Sequence, residues 1–168
     1  METMIDRRKH LHSMPDHARV WIYQSPRPLN DDEVALVQLL MDDFMSDWTS
    51  HGARMEAGVS VEHNRFIIIA ADEQKAAVSG CGIDKIARAV HEIGKRIGTD
   101  FLDRLTIYYL GDEGIQSAQM SAFWALRKAE KVTSNTLVFN NLVRTVGEWK
   151  AAWITPFSAS WHQQAWGG

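Results

Sequence analysis

The spacing of apolar residues divides this chain into strands and helices before any single residue is considered. Residues 19–25 (Arg-Val-Trp-Ile-Tyr-Gln-Ser) are β-branched and aromatic, which predicts a first strand that Pro26 and Pro28 end. Asn30 then opens a helix, with Glu33 three residues on in the capping-box position. Val34, Val37, Met41, Phe44 and Trp48 share one face of that helix. Asp31, Asp32, Asp42, Asp43 and Asp47 crowd the remainder, as on a solvated face. Residues 53–62 alternate, with Met55, Ala57, Val59 and Val61 on one side, and residues 66–71 are almost wholly apolar. His63-Asn64 joins the two as a hairpin. A second helix runs to about Ile97, with Ile83, Ile86, Ala87, Val90, Ile93 and Ile97 at helical spacing and Gly98 as its stop. Residues 105–110 read as another strand, and Gly111-Asp112-Glu113-Gly114 as a turn.

The order β-α-β-β-α-β predicts an α+β protein of ferredoxin-like form, two helices on one face of a four-stranded antiparallel sheet. Beyond it, residues 118–131 are helix-like and 136–141 form a short strand. Trp149, Trp153, Trp161 and Trp166, four of the seven tryptophans, crowd the C-terminal stretch, where such aromatics close a core or form an interface. The expected organisation is a mobile tail over residues 1–17 and a single α+β domain over 18–168. Within it, 18–114 form the βαββαβ core and 115–168 a tryptophan-rich α/β extension packed on that core.

Composition narrows the picture. With 168 residues, 45% of them apolar and 23% charged, the chain is long enough and mixed enough for an ordinary core. A net charge of −3 argues against a mainly electrostatic nucleic-acid binder. Residues 66–71 also lack the aromatic and basic pattern of an RNA-stacking sheet. One cysteine excludes a disulfide within the chain and fits a reducing compartment. Residues 1–17 carry His10, His12 and His17 but no apolar run of a signal peptide, and no stretch reaches the roughly 18 residues of a membrane span. A cytoplasmic protein without a membrane partner is expected.

The candidate chemistry centres on Ser79-Gly80-Cys81-Gly82-Ile83-Asp84, at the entry to the second helix. If Cys81 is the N-cap, Asp84 falls at the third helical position, where a carboxylate suits free amides. Such amides also favour a negatively charged group, so the loop can present a reactive sulfur or cradle an anion. It can equally be a sharp turn with a small buried residue beneath it. As a nucleophile Cys81 needs a base, and His51 and His162 are the available histidines. Asn140 and Asn141 end a strand, where they can hydrogen-bond a ligand or simply turn the chain. His91-Glu92 is followed by Lys95 where a zinc-binding H-E-x-x-H motif wants histidine, and no Cys/His pair has zinc-finger spacing. No metal and no cofactor is predicted. The readings in play are a small-ligand or anion-binding module using the Cys81 loop (Ser79, Gly80, Gly82, Asp84), a thiol enzyme, and an interaction subunit docking through the tryptophan-rich C-terminus.

Several phrases together resemble a known family: Val20-Trp21-Ile22-Tyr23-Gln24-Ser25, Trp48-Thr49-Ser50-His51-Gly52, Asn64-Arg65-Phe66-Ile67-Ile68, the Cys81 loop, Thr136-Leu137-Val138-Phe139-Asn140-Asn141-Leu142 and Ser160-Trp161-His162. They are similar to a family of small uncharacterised bacterial proteins often labelled "ABC transporter ATPase", over about residues 18–163. The label demands a G-x-x-x-x-G-K-[ST] phosphate loop, and the chain has none. Its one Gly-Lys pair, Gly94-Lys95, falls at the C-terminal end of a predicted helix, where the dipole repels phosphate. The stretch 121–149 also resembles the second half of GYF-like peptide-binding modules, without their Gly-Pro-Phe/Tyr opening.

Overall fold

The computed structural model describes residues 11–50, 53–74 and 76–167. The chain divides into two units, Met1–Asp103 with Arg144–Gly147, and Arg104–Val143 with Glu148–Gly168. The first contains β1 (Arg19–Gln24), α1 (Asp31–Asp47), a ribbon of β2 (Thr49–Ser50) and β3 (Ala53–Arg54), the hairpin β4 (Glu56–Glu62) and β5 (Phe66–Asp72), and α2 (Gly80–Ile97). Its sheet has the order β1-β5-β4, antiparallel throughout. The apolar run of β5 is explained by its central place, since every residue from Phe66 to Ala71 is buried. Trp21 and Val59 both pair with Ile69, and this face, with Ile67 and Ala71, receives Val37, Met41 and Met45 of α1 and Ile86, Val90 and Ile93 of α2.

Local chemistry sets the ends of both helices. Asn30 Oδ1 accepts from Glu33 N–H at 2.8 Å and Glu33 Oε1 accepts from Asn30 N–H at 3.1 Å, completing the capping box. Arg27 donates to both oxygens of Glu33 at 2.9 and 2.7 Å and to Ile97 O at 2.8 Å, tying the start of α1 to the end of α2. Gly98 closes α2 in the left-handed region at φ 74°, where glycine carries no steric cost. At Gly94 a Cβ would meet Thr99 O at 2.5 Å, so only glycine lets the returning chain pass.

The expected fourth strand does not join this sheet. Residues 106–111 form β6 (Thr106–Gly111) of the second unit, with β7 (Gly114–Gln119), α3 (Met120–Lys128), β8 (Leu137–Phe139), β9 (Ile154–Pro156) and α5 (His162–Trp166). Between β8 and β9 lies α4 (Val146–Ala152), whose first two residues belong to the first unit. The second sheet has the order β7-β6-β8-β9, so β6 has neighbours on both edges. The physical reason is proximity along the chain: the Gly111–Gly114 turn folds residues 114–119 back onto β6 as a hairpin. Apart from its pairing with β5, β1 makes isolated bridges among the described residues, Gln24 with Leu102 and Arg19 with Thr145. The architecture is therefore α+β with two antiparallel sheets.

One further expectation changes, and one pair of alternatives narrows. Residues 11–17 are not a loose tail: Leu11–Ser13 form a 3₁₀ turn, with Leu11 and Met14 buried. Residues 1–10 lie outside the described part. The tryptophan-rich stretch is mainly core, since Trp149, Trp153 and Trp166 are buried and Trp161 is half-buried. Phe123 of α3 meets Tyr109, Phe157 and Trp166 in the centre of the second unit. Among the described residues no helix is long and apolar enough to cross a membrane.

Candidate functional site

The entry to α2 is built on serine rather than cysteine. Ser79 is the N-cap, in extended conformation, and its Oγ accepts from Gly82 N–H at 3.1 Å. A hydroxyl is the better acceptor for a helix-start amide than a thiol, so Cys81 takes the second helical position and Asp84 the fifth. Asp84 therefore lies beyond the capping position the sequence suggests for it, with its side chain exposed. Cys81 is exposed as well, which overturns the buried-thiol alternative.

The two glycines differ in purpose. A Cβ on Gly80 would meet no atom within 4 Å, so that side of the turn is open. A Cβ on Gly82 would meet Val78 Cγ1 at 3.1 Å, Ser79 Oγ at 3.6 Å and Trp48 Nε1 at 3.7 Å. Trp48, which ends α1, thus lies under the first turn of α2. It is 2% exposed, is stacked with Phe44 and set edge-on to Trp21, and its indole N–H has no acceptor among the described residues. A buried donor without a partner is costly, and native structures rarely keep one without reason. The N–H groups of Gly80 and Cys81 open this 18-residue helix at its positive end, without intrahelical partners.

Carboxylates just before the loop are already engaged. Glu73 Oε1 accepts from Val78 N–H at 2.8 Å and lies 3.7 Å from Arg19. Asp72 accepts from Gln74 N–H at 3.0 Å and faces His17 Nε2 at 3.1 Å, and these two partners hold its carboxyl below the usual range.

The other predicted site residues are not assembled around the sulfur. His51 lies outside the described residues. His162, in the second unit, is 1% exposed, and its Nδ1 lies 2.6 Å from Ser160 Oγ. Its ring stacks on Trp161 at 3.9 Å, and burial pushes its pKa down to about 4. It is a neutral core histidine with a hydroxyl partner, and its position does not suit a solvent-facing base. Asn140 and Asn141 are structural: Asn140 Oδ1 accepts from Leu142 N–H at 3.1 Å, and Asn141 Oδ1 from Trp153 Nε1 at 2.9 Å. Among the described residues no group of three His, Cys, Asp or Glu side chains is placed to hold a metal ion.

Sequence reasoning missed Trp48 and Ser160. Trp48 reads as one more apolar residue on α1, and nothing local signals that it packs against Gly82. Ser160 stands two residues before His162, a spacing that also occurs in ordinary turns. Compared with family models, curated proteins and solved structures, the chain has no match.

Proposed function

We propose that this protein is a small-ligand-binding module whose site is the start of α2 and whose ligand presents an anionic group there. The observation that carries the reading is the buried Trp48 N–H, without an acceptor among the described residues, packed near Gly82 in the first turn of α2, whose Gly80 side is open. One anionic oxygen, or a water it orders, answers donors that the protein itself leaves unanswered. The exposed Cys81 keeps a thiol reaction within this reading, and a solvent-facing base is the part a thiol enzyme still requires. The likeness to the bacterial family, a cytoplasmic setting and independence from nucleic acid belong to the same proposal. So does a ferredoxin-like arrangement of the first unit short of its fourth strand, supported by its β1-β5-β4 order.

The test is titration of isotope-labelled protein with inorganic phosphate, following the amide signals of Gly80, Cys81 and Gly82 and the indole signal of Trp48. Saturable shifts confined to these signals support the site. Trp48→Phe keeps most of the packing and should weaken phosphate about tenfold or more, as loss of a hydrogen bond to a charged group does. Shifts spread over the surface, or an unmoved indole signal, would sink the idea.

A second reading, a peptide-docking role for the second unit, is favoured by Met120 and Trp124. They stand one turn apart on α3, 39% and 36% exposed, with Lys128 Nζ 5.0 Å from the Trp124 ring. Trp124→Ala, compared with the parent in peptide-array binding, tests it, and identical profiles would remove it.

A further inference from the structure

We infer that the outer edge of β7 is a self-association surface, on which β7 of a second copy of this chain pairs antiparallel about a twofold axis. The inference is independent of the anion site. β7 is the first strand in the β7-β6-β8-β9 order and is paired with β6 on one side only. On its other side, the backbone groups of residues 115–118 that turn away from β6 have no partner among the described residues. Alternate residues of an edge strand present both N–H and C=O in this way, as a template for another strand.

The other sheet edges are blunted. β1 is bridged by Leu102 and Thr145, and Val20 N–H donates to Arg144 O at 2.9 Å. β4 carries Glu56 and Glu62 at its ends, and Gln38 Nε2 of α1 donates to Val59 O at 3.3 Å. β9 has three residues and ends in Pro156. β7, Gly-Ile-Gln-Ser-Ala-Gln, has six residues, none of them charged and none a proline. It lacks the charge, the proline and the shortness that keep an edge from pairing.

The two ends of β7 are complementary to each other. Before it, Asp112 and Glu113 form an exposed acidic hairpin tip. After it, α3 begins at Met120 with no acidic residue in its first turn and no side-chain cap, so its free amides lack a local anion. A twofold axis sets either Gln116 or Ser117 opposite itself, because residues paired across strands share a face of the sheet. In both registers Asp112 and Glu113 of one copy reach residues 119–122 of the other, at the start of its α3. The acidic tip and the uncapped helix start therefore meet twice, once on each side of the axis. A foreign extended segment would have to bring both complements itself, whereas a second copy supplies them by symmetry.

The experiment is sedimentation equilibrium of the full chain from about 10 µM to about 1 mM, a range that covers weak association. Reductant is present throughout, so that Cys81 cannot cross-link two chains. The mass should rise from one copy to two, and hydrogen exchange at the amides of residues 115–118 should slow as the dimer forms. Ser117→Lys, at an exposed position in the middle of the edge, should raise the dimer Kd about tenfold or more. Asp112→Asn/Glu113→Gln should raise it about threefold and reduce its dependence on salt, as loss of charge at a helix start predicts. A chain that stays monomeric to the highest concentration would overturn the inference and leave the edge to a foreign segment. So would a dimer with unchanged exchange over residues 115–118, or one whose Kd survives a folded Ser117→Lys. If that variant does not fold, the exchange data and the turn variant decide.

Discussion

The start of α2 and the aromatic stretch around α5 hold the two side chains that sequence chemistry singles out most readily, Cys81 and His162, and they meet opposite fates. Cys81 is exposed in the first turn of a helix. His162 is almost fully buried, its Nδ1 matched by Ser160 and its ring stacked on Trp161. In the first region the exposed thiol stands in the same turn as Gly82, under which the buried Trp48 N–H has no acceptor among the described residues. In the second the polar pair is satisfied internally and the aromatic rings around it form a core. Residue type suggested reactivity at both places. Solvent access and the presence of a local partner separate the two side chains.

The largest expected effect probes the interior. Phe123 is 0% exposed and touches Tyr109, Phe157 and Trp166, so Phe123→Ala should cost about 3–5 kcal/mol in urea denaturation of the second unit. A loss below about 1 kcal/mol would mean that this cluster is not a packed core.

Acid should distinguish the regions next. His162 is held at about 4 in the folded state against an ordinary 6.5, so the unfolded chain takes up its proton first as pH falls. Stability from this residue is complete above pH 6.5 and declines toward pH 4, by about 3 kcal/mol in all. Denaturation curves between these limits should show that slope, and His162→Gln should flatten it. Glu33 works in a lower window. Its bonds to Arg27 and then to Asn30 hold it at about 2 against 4.5, so its contribution is present above pH 4.5 and lost as pH falls through 2. A Glu33→Gln variant unfolding at the same acid pH as the parent would contradict this.

Smaller effects sharpen the turn itself. Gly82→Ala drives a Cβ to 3.1 Å from Val78 and should destabilise by about 1 kcal/mol, within the usual cost of overpacking. Gly80→Ala meets nothing within 4 Å and should be neutral or stabilise by up to about 1 kcal/mol through helix propensity. Ser79→Ala should cost about 1 kcal/mol by removing the cap on Gly82 N–H. Thermal melts of the three variants check the order, and a reversal of the two glycines would refute the assignment of Gly80 to the open side.

What could be read from the chain was local. The Asn30–Glu33 capping box, the left-handed stop at Gly98, the turn at His63 and Asn64 and the buried run of β5 all follow from residues a few positions apart. β7 was not legible, because Gly-Ile-Gln-Ser-Ala-Gln lacks the apolar alternation of a half-buried strand and is a strand through its pairing with β6. The alternating stretch 53–62 likewise reads as one strand but divides at Met55, with Ala53–Arg54 pairing to β2 and Glu56–Glu62 to β5.

The sequence by itself determined where helices start and stop and which residues must be hidden, because capping, turn geometry and hydrophobic periodicity act over one or two turns. Only the tertiary structure decided which sheet β6 would join, that Trp48 would lie beneath the first turn of α2, and that Cys81 would face solvent while His162 would not. These depend on pairings and packings between segments distant along the chain. Many arrangements satisfy the local rules equally, and the selection is made by the burial and hydrogen bonding of all the segments at once.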